Sequence, residues 1–231
     1  MIIHEVAQGS PEWHQVRAGC VTASKVADAR RLVMLSGKNK GGPSEECQNY
    51  AFRLAVERIS GAPLQDDRFE TFAMRRGHEL EPEARKAHEA LGVVVRRAGY
   101  VTTDDGRIGA SVDGLLDPRG AAEYKCLVAA DGLREILVAE DLSEFTDQMQ
   151  TGIMVTERDY MHFGLYCPAL EPIGQALTLR LVWRDDAYIR AMRRDLDTFN
   201  AMVDEYEGTL RASVDKNGEH IALALAAFHK D

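Results

Sequence analysis

The stretch Ser111-Val112-Asp113-Gly114-Leu115-Leu116-Asp117-Pro118-Arg119-Gly120-Ala121-Ala122-Glu123-Tyr124-Lys125-Cys126 decides how this chain folds. Two strand-like runs, Arg107–Asp117 and Ala121–Leu127, flank the turn Pro118-Arg119-Gly120, the pattern of a β-hairpin. Side chains alternate along a strand, so Glu123 and Lys125 share one face and Tyr124 takes the other. Asp113, near the end of the preceding strand, then stands beside them. Leu115, Leu116, Ala121, Ala122 and Leu127 mark both strands as largely buried. Two carboxylates and an ammonium are costly there unless they are paired or bind a metal. With a backbone carbonyl, the carboxylates make the hard, oxygen-rich site that Mg²⁺ takes. A neighbouring lysine can position or help deprotonate an attacking water and stabilise charge on a phosphate. A D…ExK spacing alone is common on solvent-facing hairpins; the buried setting distinguishes this one.

Upstream, Val93–Thr103 reads as a strand that turns at Asp104-Asp105-Gly106 into Arg107–Asp117. Ser10-Pro11-Glu12 opens a helix that Gly19 can end. A second helix is expected from Thr22–Ser24 to about Leu35, before the loop Ser36–Pro43. Ser44 opens a third that stops at Gly61, and a fourth spans Gly77–Leu91 and ends at Gly92. Pro82 suits only a first turn, which places that helix's start later than Gly77. Downstream come a helix over Glu144–Val155 and strands Asp159–Tyr166 and Ala176–Trp183. A long helix over Asp185–Arg211 carries Ile189, Met192, Leu196, Phe199, Met202 and Val203 on one face. Ile221–Phe228 reads as a short docking helix. With no repeat or long linker, residues 1–231 read as one α/β domain, a central mixed sheet flanked by helices.

Apolar residues at 45% and charged residues at 28% are ordinary for a globular chain. The net charge of −9 argues against coating nucleic acid by bulk charge, but not against a nuclease that needs carboxylates and a local basic groove. Cys20, Cys47, Cys126 and Cys167 form no CxxC pair, so they read as reduced thiols rather than zinc or iron–sulfur ligands. No membrane span or signal peptide is visible, which implies a cytoplasmic address.

Several separated motifs resemble the bacteriophage lambda exonuclease family, the phage-type recombination exonucleases of the PD-(D/E)xK superfamily. They are Trp13-His14 with Val16-Arg17-x-Gly19-x-x-Thr22-Ala23-Ser24, Arg76-Gly77-His78-Glu79-Leu80-Glu81, Ser111-Val112-Asp113-Gly114, Glu123-Tyr124-Lys125-Cys126, and Gln148-Met149-Gln150. The resemblance implies a PD-(D/E)xK nuclease core and a Mg²⁺-dependent 5′→3′ exonuclease on linear duplex DNA. Such an enzyme leaves 3′ overhangs for recombination by strand annealing. It implies metal ligation by Asp113, Glu123, the Tyr124 carbonyl and Glu81, with two Mg²⁺ ions and Mn²⁺ able to substitute. Lys125 would contact the attacking water, and Gln148 would orient the scissile region. Arg17, Ser24 and Ser111 would bind the terminal 5′-phosphate, and Lys38 and Lys40 the incoming duplex. Phe69, Phe72 and Met74 are candidates for a strand-separating wedge. The implied partners are DNA ends, a single-strand annealing protein and two further copies in a trimeric ring.

Blander roles compete at several positions. Glu81 can pair with Arg85 one helical turn on; Arg17 and Ser24 can be a solvated helix residue and a cap; Gln150 reads as structural and Cys126 as a small buried residue. Val112 stands where the family has proline, and His14, His78 and His88 show no partner pattern. The rival functions are a restriction- or repair-type PD-(D/E)xK endonuclease and a non-catalytic DNA-binding adaptor.

Overall fold

The computed structural model describes residues 1–32, 40–64, 72–116, 118–126, 129–214, 216–218 and 220–221, the side chains of 72–74 excepted. Its strands are β1 (Ile2–His4), β2 (Val21–Thr22), β3 (Val95–Arg96), β4 (Tyr100–Thr102), β5 (Ile108–Ala110), β6 (Gly114–Leu116), β7 (Gly120–Lys125), β8 (Tyr160–Tyr166) and β9 (Leu177–Trp183). Its α-helices are α1 (Pro11–Arg17), α2 (Val26–Ala29), α3 (Glu45–Ser60), α4 (Phe72–Glu89), α5 (Ala130–Leu137), α6 (Thr146–Val155) and α7 (Asp186–Ala212).

The α/β architecture with mixed sheet flanked by helices is present, but as two sheets rather than one. Four strands run in the order β1-β4-β5-β2 and five in the order β3-β6-β7-β8-β9. In each, a single parallel pair (β2 with β5, β7 with β8) joins otherwise antiparallel neighbours. The two long strands expected over Val93–Thr103 and Arg107–Asp117 are each cut in two, one half going to each sheet.

Local chemistry accounts for the starts of α1, α3 and α7. Ser10 Oγ accepts from Trp13 N, Ser44 Oγ from Cys47 N, and Asp185 Oδ1 from Ala187 N and Tyr188 N, each meeting donors that a helix leaves open. The helix expected after Thr22 is shorter than its pattern. Val21–Thr22 pairs as a strand, a 3₁₀ turn follows over Ala23–Lys25, and α2 ends at Ala29. Parallel pairing with β5 holds Val21 and Thr22 extended, which takes Thr22 from the expected helix start. Pro82 lies in the interior of α4, not in a first turn. It lacks the amide that would close the helical bond four residues back. Helix α5, strand β1 and the 3₁₀ turn Pro168–Ile173 fall where the pattern gave no element.

The four-stranded sheet packs with α2, α3, α6 and α7 around an apolar core that includes Val21, Leu54, Val101, Ile108, Met192, Leu196 and Phe199. The face expected on the C-terminal helix is the buried one, with Met202 at its margin. The five-stranded sheet carries a second core toward α6, with Ala121, Met149, Ile153, Met161 and Phe163, and a third toward α4, with Ala84, Ala122 and Tyr124. Strand β7 is thus covered on both sides, as a strand with a parallel neighbour usually is.

Candidate active site

The hairpin that feeds both sheets is open in its middle. No strand pairing joins Arg97–Gly99 to Ser111–Asp113, although the same register holds on either side, Val95 opposite Leu116 and Val101 opposite Ala110. Asp113 therefore lies on unladdered backbone at the start of β6, not near the end of a strand. Gly114 has to follow it, because a Cβ there would stand 2.2 Å from Val95 Cγ1. Val112 turns inward to the core shared with Met149 and Ile153.

Pairing of Gly114 with Ala122 brings Asp113 beside β7, where Tyr124 N donates to Asp113 Oδ2 at 2.6 Å. Asp113 and Glu123 are 8% and 5% exposed, so both carboxylates are buried. Lys125 Nζ donates to Glu123 Oε1 and to Gln148 Oε1, each at 2.9 Å. Gln148 Nε2 donates to the same Glu123 oxygen. Alternation has the expected result, with Ala121 in the core toward α6 and Ala122 and Tyr124 in the core toward α4. From α4, Arg85 Nη2 donates to the Asp113 carbonyl and lies 3.5 Å from Glu81 Oε1. The pairing weighed for Glu81 is therefore made, though loosely. Nε and Nη1 of Arg85 are buried without a partner among the described residues; a buried donor left unmet costs about 1–3 kcal/mol.

Burial raises the Asp113 pKa well above the usual carboxylate value, and repulsion from Glu123 and Glu81 adds to it against the Tyr124 amide and Lys125. Burial opposes the Lys125 ammonium, yet Glu123, by charge and hydrogen bond, and Asp113 hold its pKa above the ordinary value. Lys125 is thus a cation and a donor, suited to holding a water rather than taking its proton. The donor set fits Mg²⁺: all the candidate ligand atoms are hard oxygens, and their mutual repulsion is what a divalent ion would relieve. Among the described residues no three His, Cys, Asp or Glu side chains form a finished cage. Mg²⁺ ordinarily takes one or two carboxylates and completes its shell with water and substrate phosphate. Asp113 and Glu123 meet that need, and Glu81 lies close enough to act on Asp113 electrostatically.

A second cluster forms at Ser111, two residues before Asp113 in the unpaired part of the hairpin. Arg17 stacks its guanidinium 3.7 Å from the Trp13 ring centroid, and Trp13 Nε1 donates to Ser111 Oγ at 2.7 Å. Among the described residues Arg17 makes no hydrogen bond or ion pair. Gly19, just beyond it, is gripped at both backbone groups by α3: its N–H donates to Glu57 Oε2 and its carbonyl accepts from Arg58 Nε, each at 2.9 Å. A Cβ on Gly19 (φ +72°) would fall 2.6 Å from Arg58 Cγ, so only glycine lets α3 come this close. Ser24 is exposed on the 3₁₀ turn after β2, and among the described residues no hydrogen bond joins it to Arg17 or Ser111. Lys40 is exposed. Lys38 and Phe69 lie outside the described residues, as do the side chains of Phe72 and Met74 and most of Ile221–Phe228.

Two supporting networks escaped the sequence reading. His88, fully buried, bonds Tyr124 Oη at 2.8 Å and His162 Nδ1 at 3.0 Å. Burial, with His162 nearby, pushes its pKa down to about 4. The 4-then-3 spacing of Glu81, Arg85 and His88, a polar stripe beside buried Leu80 and Ala84, was the available signal. Arg30 ties α2 to Asp147, Tyr188 and Asp195, fixing the start of α6 next to Gln148. Gln150 is structural, donating to the Trp183 carbonyl and accepting from Asp185 N. All four cysteines are unpaired, and burial pushes the Cys126 thiol up to about 12, so it stays protonated.

A family model described as the YqaJ-like viral recombinase domain matches residues 12–159, from α1 through both carboxylate-bearing segments. The chain belongs to the YqaJ-like viral recombinase domain family. The resemblance to lambda-type exonucleases therefore holds. No curated protein matches. Among solved structures, an alkaline exonuclease from Laribacter hongkongensis is 30% identical, with 90% of this chain and 99% of that chain covered and a TM-score of 0.74. The same enzyme in complex with dAMP gives a TM-score of 0.76 at equal identity and coverage. A phage-related exonuclease from Haemophilus somnus, 14% identical over 84% of this chain and 96% of that one with a TM-score of 0.63, shares the fold. The YqaJ-like chain has no helix long and apolar enough to cross a membrane among the described residues.

Proposed function

We propose that this chain is a Mg²⁺-dependent exonuclease that digests linear duplex DNA from its 5′ ends and leaves 3′ overhangs for recombination by strand annealing. The observation that carries the reading is the cluster of buried Asp113 and Glu123 with half-buried Lys125 and Gln148, beside which Ser111 bonds the Trp13 ring that carries Arg17. Similarity to an alkaline exonuclease of known structure supports it. Asp113, Glu123 and the Tyr124 carbonyl would hold the metal, with Glu81 at a second position; Mn²⁺ would substitute. An ion held by these residues would supply polarisation of the phosphate and activation of a water. Lys125, charged and anchored on Glu123 and Gln148, holds the attacking water and meets charge developing on the phosphate. Gln148 orients the scissile region.

Arg17 and Ser111 would grip the terminal 5′-phosphate, with Ser24 closing the pocket. The Ser111 hydroxyl accepts from Trp13, which leaves its own proton free to donate to an anion. The Arg17 fork, already oriented by stacking on the same indole, matches phosphate bidentately. A homotrimeric ring, with Lys38 and Lys40 toward the duplex, would keep a chain of net charge −9 on DNA between cleavages. A single-strand annealing protein would take the product.

The test is digestion of linear duplexes labelled at either end, with Mg²⁺, beside a closed circular plasmid. Stepwise loss of 5′ label with the circle intact is expected. A degraded circle points to the endonuclease, and binding without cleavage to the adaptor. Light scattering is expected to give about three times 25.7 kDa.

A further inference from the structure

Arg85 is the least satisfied polar side chain at the site. Its side chain is 11% exposed, and Nη2 alone finds partners, the Asp113 carbonyl and, at 3.5 Å, Glu81 Oε1. Nε and Nη1 are buried without partners among the described residues. A cation in that state is unfavourable unless its position does something that a better-packed apolar residue could not. That position is distinctive. The Asp113 backbone lies where the hairpin has no ladder to fix it, and Glu81 lies on a different element, one turn before Arg85 on α4. One guanidinium nitrogen thus reaches both the strand-borne and the helix-borne halves of the carboxylate cluster.

We propose that Arg85 is a positioning residue that sets the distance between Glu81 and Asp113, and so the affinity of the cluster for divalent ions. This rests on the metal-binding reading above. The two N–H bonds of Nη2 are fixed in the plane of the guanidinium and so set the angle between the carbonyl and the carboxylate, which an ammonium, a freely rotating point donor on a flexible stem, does not. Its charge also offsets repulsion in the cluster before an ion enters, so the carboxylates stay close enough to bind one.

The experiment measures Mn²⁺ binding to the full chain, without DNA, by electron paramagnetic resonance and calorimetry, with near-ultraviolet circular dichroism as a check on folding. Wild type, Asp113→Ala, Arg85→Lys and Arg85→Met are compared. Arg85→Met is expected to bind Mn²⁺ about tenfold or more weakly, and millimolar guanidinium to restore much of the loss by filling the vacated space. Arg85→Lys is expected to fold as wild type yet keep most of the defect. Wild-type Mn²⁺ affinity in folded Arg85→Lys and Arg85→Met would overturn the role of Arg85 alone. Should Arg85→Met not fold, wild-type affinity in Arg85→Lys would do the same. A wild-type chain that binds no Mn²⁺, or binds it equally after Asp113→Ala, would overturn the metal reading and this inference with it.

Discussion

The four-stranded and five-stranded sheets draw strands from one hairpin in one register, yet they bury different chemistry. On the four-stranded side Val21, Val101, Ile108 and Ala110 meet the apolar faces of α3 and α7. On the five-stranded side the same kind of interior holds Asp113 and Glu123 on or beside its strands, and on its α4 face His88 bonded to Tyr124. Burying a carboxylate disfavours its charge, whereas burying leucine only removes apolar surface from water. The first half supplies stability; the second spends part of it to hold charges that repel one another. Helix α6 joins them, with Met149 and Ile153 in one core and Met154 and Val155 in the other.

Substitutions should separate the halves. The largest effect is expected on the charged side: Asp113→Ala, Glu123→Ala and Lys125→Ala should each lower single-turnover cleavage about a thousandfold or more with the fold retained. Asp113→Asn should be as inactive yet more thermostable than wild type in metal-free buffer at pH 7.5. A carboxyl with a raised folded pKa leaves stability intact below its ordinary value of 3.8 and loses it as pH rises through the folded value. Differential scanning fluorimetry at pH 3.5 and 7.5 tests the sign, since the advantage of Asn should vanish at the lower pH.

On the apolar side, Leu196→Ala should cost about 2–5 kcal/mol in urea unfolding while leaving kcat of the folded protein near wild type. Equal loss of kcat would show that the two halves are not separable.

The histidine pair predicts a slope of the opposite sign. His88 is lowered from 6.5 to about 4, so its contribution is present above pH 6.5 and is lost as pH falls through 4. His88→Gln should flatten that part of the stability profile, by up to about 3 kcal/mol at its foot. A profile unchanged from wild type would show that His88 is not buried as a neutral ring.

The smallest effect concerns ends. Arg17→Ala should cut the preference for a 5′-phosphorylated over a 5′-hydroxyl duplex by about tenfold, chiefly by slowing the phosphorylated substrate. Rates for the two duplexes that already agree in wild type would leave the pocket unsupported.

Patterns set by near neighbours are legible in the sequence. Ser44 and Gly61 bracket α3, the spacing from Ile189 to Val203 marks the buried face of α7, and strand alternation parts Glu123 and Lys125 from Tyr124. What escaped depends on distant partners. Gly99, Asp113 and Gly114 are weak strand formers, but between Val93 and Asp117 they do not say that the ladder opens at Ser111–Asp113, because pairing depends on the opposite arm. Val21–Thr22 becomes a strand only because β5 lies alongside. Pro82 sits inside α4 against its intrinsic preference, which tertiary packing overrides. At the site the carboxylates and lysine were legible by spacing, whereas the Trp13–Ser111 bond spans 98 residues and Arg85 reaches Asp113 across 28.

The opened hairpin also limits how this chain can change length. Its two paired halves stay in step, so the unpaired residues on each arm must remain matched in number. One residue added between Ala110 and Gly114 would invert the facing of β6, turning Leu116 out of its core and moving Asp113 away from the Tyr124 amide. Loops usually absorb insertions readily; this one, irregular as it is, should tolerate substitution far better than any insertion or deletion.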